Sequence, residues 1–195
     1  MSVTPGRWVG MGWEIFKQDA GNFVLITLVA LALSAVGNFV VAGPLLAGMF
    51  IAVRRRILEG RTDLTDLFAG FNLFVDALLV YILTSIFELG SLVLCIFPIF
   101  IVAAIYLFPY LFVVDRRLSF WDAMESSRRL VMQDLLGHIG FVVLLVLLNL
   151  LGVMLFGVGL LVTIPVSVAA VTVAYQENVG FHHRPPEPSR PVVIP

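Results

Sequence analysis

Charge is what this chain has least of. Of its 195 residues only 13% are Asp, Glu, Lys or Arg, about half the share of a soluble domain. Lysine occurs once, at Lys17, and cysteine once, at Cys95. A lone cysteine excludes an intrachain disulfide and any paired-cysteine redox motif. No basic stretch interleaved with exposed aromatics occurs, which argues against nucleic acid as a partner. No Cys/His set stands at metal-ligand spacing, and His182-His183 lack acidic or thiol companions. No cofactor motif is present either. Gly157-x-Gly159 follows no strand and has no phosphate-loop context.

What the chain has instead is apolar surface. Hydrophobic residues make up 60% and mean hydropathy is +1.03, more than one soluble core can hide. Charges fall in short clusters between long uncharged runs. Residues 22–41 predict a first apolar helix, and Gly37-Asn38 with Gly43-Pro44 bracket a turn. A second helix runs from Pro44 into Arg54, Arg55 and Arg56, whose side chains snorkel outward. The run from Ala77 to Val114 holds one charge, Glu88. It is about twice the hydrocarbon thickness and so predicts two helices, turning at Phe97-Pro98. Residues 135–155 and 160–176 predict the last two, joined through Gly157 and Gly159.

Three amphipathic segments precede these pairs. Trp8, Gly12, Ile15 and Phe16 share one helical face, which the pattern places in a membrane interface with the tryptophans at headgroup depth. Leu64, Leu67, Phe68 and Phe71 oppose Asp63 and Asp66, with Thr62 as the expected cap. Phe120, Ala123, Met124, Ser127, Leu130 and Val131 oppose Asp122, Glu125 and Arg128, with Ser119 and Asp122 as a capping pair. With six helices all 12 Lys and Arg fall on one side, because the turns near 37–44, 95–98 and 156–159 carry no charge. Positive charge is retained on the cytoplasmic side.

The expectation is therefore an all-α polytopic integral membrane protein. It has six transmembrane helices as three hairpins, each preceded by an amphipathic interfacial helix. Residues 1–180 form one membrane domain, and residues 181–195 a disordered proline-rich cytoplasmic tail. Both termini are cytoplasmic. Gln18-Asp19 and Gln133-Asp134 stand at the same offset from Gly37 and Gly152, a weak internal repeat, and the second helix of each pair carries proline.

The residues Gly43-Pro44-Leu45 with Gly48, Asp66-Leu67-Phe68-Ala69-Gly70-Phe71 and Pro109-Tyr110-Leu111-Phe112-Val113-Val114-Asp115 carry a resemblance. So do Trp121-Asp122-Ala123 and Leu161-Val162-Thr163-Ile164-Pro165. The chain resembles uncharacterised bacterial inner-membrane proteins with six helices, related to the membrane domain of glycerophosphodiester phosphodiesterases. The resemblance implies a fold and an inner-membrane location, and no activity.

One polar site is expected. Glu88 is an acid inside an apolar span, where such groups face other helices or a watery cavity. Tyr81 and Thr84 share its helical face, and Ser34, Asn149 and Thr163 reach similar depth on other helices. Glu88 is read in three ways, as a functional centre, as a neutral hydrogen-bonded group or, with a turn at Gly90-Ser91, as a residue of the outer interface. Two function classes stay open accordingly. One is a non-catalytic inner-membrane protein that organises lipid or partner proteins, with a second copy of itself among the compatible partners. The other is a transporter of a small molecule, lipid or proton with Glu88 as its ionisable centre. No nucleophile–base pair or carboxylate pair assembles, so an enzyme is not expected.

Overall fold

The structure, a computed structural model, describes residues 4–94, 96–155 and 157–182. Cys95 and the expected tail beyond His182 lie outside them. The described residues hold nine α-helices and no strand. They are α1 (Pro5–Gln18), α2 (Ala20–Glu59), α3 (Thr65–Ala69), α4 (Phe74–Leu94), α5 (Ile96–Ile105), α6 (Pro109–Arg116), α7 (Phe120–Val131), α8 (Leu135–Met154) and α9 (Leu160–Asn178). Short 3-10 turns, Gly70–Leu73 and Met132–Asp134, link α3 to α4 and α7 to α8. Four helical stretches are long and apolar enough to cross a membrane, and a fifth counts if α1 and the first part of α2, bent by 99°, form one broken span. That is fewer than the six expected.

The difference lies mainly in α2, which is helical throughout its 40 residues yet doubles back. A straight helix would hold Asp19 and Arg56 about 55 Å apart. Instead Arg56 Nη1 lies 3.6 Å from Asp19 Oδ2, and Arg56 Nη2 donates to Gln18 O across 3.1 Å. The arms 20–35 and 40–59 are therefore neighbours, with Pro44 inside the second arm. The α4–α5 pair folds the same way. The rings of Phe87 and Tyr106 stack at 5.3 Å, where continuous helix would separate these residues by about 28 Å. Pro98 stands in the first turn of α5 and not in the connection, since proline is tolerated where no intrahelical N–H is required.

The amphipathic segments correspond to α1, α3 with its 3-10 extension, and α7. The apolar faces of α1 and α7 meet protein, whereas Phe68 and Phe71 of the second segment are exposed and Asp66, expected on its polar side, is buried. Trp8 is 1% exposed, and its ring packs edge-on against Phe141 at 4.9 Å. Its Nε1 donates to Glu177 on α9 across 2.6 Å. A Cβ on Gly12 would sit 2.7 Å from Ala170 N and 2.8 Å from Val166 O, so α1 lies directly on α9. Residue numbers rise along α1 as they fall along α9, and the two helices run in opposite directions. The expectation that tryptophan marks the interface thus fails for Trp8, while Trp13 and Trp121 are exposed. Ser119 caps α7 as expected, accepting from Asp122 N. Thr62 does not cap α3. Asp63 takes that role, with Oδ1 accepting from both Thr65 N and Thr65 Oγ1 at 2.9 Å.

The second arm of α2 approaches α3 and α4 without side chains between them. A Cβ on Gly43 would stand 2.5 Å from Ala77 O. One on Gly48 would collide with Leu67 O, and one on Gly70 with Pro44 O. Gly152 and Gly159 make a similar contact where α8 turns into α9. Small residues let helix backbones approach where lipid provides no hydrophobic drive between helices.

A polar cleft between the helices

Charged residues gather at one end of the bundle. Arg54, Arg55 and Arg56 are consecutive, and each reaches a different element. Arg54 Nε donates to Asp115 Oδ1 across 3.0 Å at the end of α6. Arg55 pairs with the buried Asp66 of α3, and Arg56 holds the α1–α2 junction. Tyr175 of α9 donates its hydroxyl to Asp115 Oδ2 across 3.2 Å. His182 N donates to the same carboxylate at 3.0 Å, and the Arg54 guanidinium lies 5.5 Å from the centre of the Phe181 ring. Asp115 thereby ties the ends of α2, α6 and α9 together, with its side chain wholly buried. In the sequence Asp115 closes the motif that begins at Pro109, and the pattern assigns its side chain no role. Its neighbours Arg116 and Arg117 disguised it as part of a solvated cluster.

The predicted site lies away from this end. Tyr81, Thr84 and Glu88 of α4 and Asn149 of α8 line one cleft of about 500 Å³, together with Tyr106 and Tyr110. Its other walls are mainly aliphatic, such as Leu46, Leu145 and Val146. Ser34 is not in it. That residue lines a neighbouring cavity of about 240 Å³ between the arms of α2, and Tyr81 borders both. Thr163 is in neither. Its Oγ1 is buried against Gly152 without a hydrogen-bond partner, and Ser167, one turn on, takes its place in the cleft. Equal residue counts from the helix ends misplaced Thr163, because α9 packs its first turn onto the end of α8.

The hydrogen bonding of the cleft is one-sided. Asn149 Nδ2 donates to Leu145 O at 2.9 Å and to Ser167 Oγ at 2.8 Å, and Ser167 Oγ donates to Thr163 O. The amide hydrogens are thus used within the protein, and Asn149 Oδ1 is left as an acceptor. Thr84 Oγ1 is buried without a hydrogen-bond partner. Among the described residues no hydrogen bond or ion pair reaches the Glu88 carboxylate, and Ser91 donates to the Glu88 carbonyl, not to its side chain.

The wall of the cleft is broken on one side. Helix stops at Ile105 and resumes at Pro109, because proline has no N–H to continue the ladder. Ser127 of α7, fully buried, repairs the gap. Its Oγ donates to Ile105 O across 2.6 Å and accepts from Phe108 N across 3.2 Å. Tyr106 and Leu107, inside the gap, face the cleft. Sequence reading placed Ser127 on the apolar face of α7 without assigning it this role. A hydroxyl on an otherwise apolar face was the available signal.

His138 is 2% exposed and sits with Trp8 and Phe108 around it. Its Nδ1 is bonded to Asp134 O at 2.7 Å. Among the described residues no group of three or more His, Cys, Asp or Glu side chains stands close enough to hold a metal ion. No protein-family model, curated protein or solved structure matches this chain. Nothing therefore links it to the membrane domain of glycerophosphodiester phosphodiesterases.

Proposed function

We propose that this chain is a non-catalytic membrane protein that accommodates part of an amphiphilic molecule, lipid or lipid-like, in the cleft between α4, α5, α8 and the second arm of α2. The observation that carries the reading is the composition of that cleft. Its walls are aliphatic and aromatic, while Glu88, Asn149 and the tyrosine hydroxyls supply polar groups. A concave, mostly apolar site with a few converging polar groups is the usual form of a small-molecule site. Four helical stretches long and apolar enough to cross a membrane, or five with the bent α1–α2 pair, support the membrane setting, and on this reading the two arms of α2, then α4, α5 with α6, α8, and α9 make six passes. The arginine-rich end faces the cytoplasm on this reading, following the retention of positive charge, and the inner membrane of a bacterium is the location that the sequence resemblance suggests. The break at Tyr106–Phe108 favours carriage over a purely organising role, since discontinuous helices line substrate sites in transporters.

A diazirine-bearing phospholipid irradiated with the protein in vesicles tests this. Label is expected in peptides of α4, α5 and α8 that face the cleft. Val146→Trp, which narrows the cleft, should reduce it, and Leu150→Trp on the exposed face of α8 should not. Labelling spread evenly over the exposed apolar surface, unchanged by Val146→Trp, overturns the proposal.

A further inference from the structure

The chemistry of the cleft narrows the class of occupant. Among its described lining residues Glu88 is the one that carries charge, and no Lys, Arg or His lines it. Three tyrosines, at 81, 106 and 110, also line it, and the ring of Tyr110 stacks with Phe50 at 5.9 Å. Aromatic faces attract cations, more so when water is excluded. The amide hydrogens of Asn149 are already consumed, so its contribution to an occupant is the Oδ1 acceptor. The Glu88 carboxylate, when ionised, is acceptor-only. An anionic head would meet Glu88 and an acceptor oxygen with no cation to compensate it. A neutral head would supply no counter-charge to Glu88, and an ionised carboxylate in an apolar setting is costly without one.

Resting on the amphiphile reading above, we infer that the cleft selects amphiphiles with an ammonium head. The head lies against Glu88, its N–H groups turn to the carboxylate and Asn149 Oδ1, and tyrosine rings flank it. The apolar tail runs along Leu145 and Val146. A primary ammonium has three donors and a compact charge, which suits a site rich in acceptors. A quaternary head keeps the cation–π attraction and loses the hydrogen bonds.

The test uses the whole protein in an uncharged maltoside detergent at neutral pH, where a primary alkylamine is protonated. Dodecylamine, dodecyltrimethylammonium, dodecanol and dodecyl sulfate are titrated calorimetrically, with protein-free micelles as the blank. Dodecylamine should bind most tightly, the quaternary amine next, dodecanol weakly and the sulfate least. Glu88→Gln should weaken dodecylamine about tenfold, the size of one charge-assisted hydrogen bond, and leave dodecanol unchanged. Glu88→Asp should retain part of the preference. Sulfate binding as tight as amine binding in the unaltered protein overturns the inference without recourse to any variant. Equal binding of amine and alcohol by the unaltered protein also overturns it and leaves amphiphile binding standing. Absence of binding by all four probes removes both readings.

Discussion

Arg54 Nε lies 3.0 Å from Asp115 Oδ1, joining α2 to α6 across 61 residues of chain. The contact matters because of what else shares that carboxylate. Tyr175 reaches it from α9 and the His182 amide from the segment after α9. The ends of α2, α6 and α9 therefore meet on one buried acid. Asp115 accepts four bonds from a guanidinium, a phenol and a backbone amide, which is how a wholly buried charge is tolerated.

Removing one partner of such a pair leaves the other charge buried and uncompensated. Asp115→Ala should cost about 3 kcal/mol. Tyr175→Phe, which deletes one bond and keeps the edge-to-face contact with Phe112, should cost about 1 kcal/mol. Reversible unfolding in mixed micelles measures both. The Asp115→Ala and Arg54→Ala effects should fall well short of additive in a double-mutant cycle. Additive losses would show that the pair is not coupled.

The glycines divide into two sets that substitution will separate. Gly48→Ala and Gly70→Ala each drive a methyl into the backbone of the facing element. Backbone cannot swing aside as a side chain does, so each should cost at least about 3 kcal/mol, the upper range of overpacking. Nothing lies within 4 Å of a Cβ on Gly10 or Gly140, and both are inside helices. Alanine there should leave stability unchanged or raise it by up to about 1 kcal/mol. Thermal unfolding in detergent distinguishes the two sets, and equal effects at Gly48 and Gly10 would refute the close contact.

Much of this arrangement was written in residue periodicity. The amphipathic segments, the last hairpin and the Ser119 cap stand where the pattern put them. The Gln-Asp repeat has a physical counterpart. Asp19 and Asp134 adopt similar non-helical conformations, φ −154°, ψ 47° and φ −149°, ψ 71°, and each precedes an apolar helix. Three of the six expected site residues, Tyr81, Thr84 and Glu88, share the cleft for the same reason, since period along one helix is legible, and Asn149 joins them from α8. What periodicity cannot convey is the rotation and axial shift between helices. Those misplaced Ser34 and Thr163, and they hid Asp115 and Ser127, whose roles depend on groups far away in sequence. Burial of Trp8 was illegible too. An amphipathic face looks the same whether lipid or α9 covers it.

The six-pass orientation proposed above, with the arginines inside, predicts a labelling pattern. In a Cys95→Ser background, cysteine at Val158, in the α8–α9 turn, should react with an impermeant maleimide on intact cells. Cysteine at Leu58, next to the arginine cluster, should react only after permeabilisation. Reaction at position 58 on intact cells would reverse the orientation, and reaction at neither would contradict the assignment of that turn to the outer face.

Ser127 offers the sharpest test of how α7 supports the cleft. Its one oxygen satisfies a carbonyl and an amide that the break before Pro109 sets free. In an apolar interior an unsatisfied backbone group is expensive. Ser127→Ala should therefore cost about 2 kcal/mol, although it removes a single atom. Ser126→Ala, its half-buried neighbour, should stay within about 0.5 kcal/mol. The loss should be local before it is global. Amide exchange at Phe108 should accelerate markedly in Ser127→Ala while exchange in the middle of α9 is unchanged. Because Tyr106 and Leu107 sit in the repaired gap and line the cleft, dodecylamine affinity should fall in the same variant. Unchanged exchange at Phe108 would mean that water, not Ser127, satisfies the break.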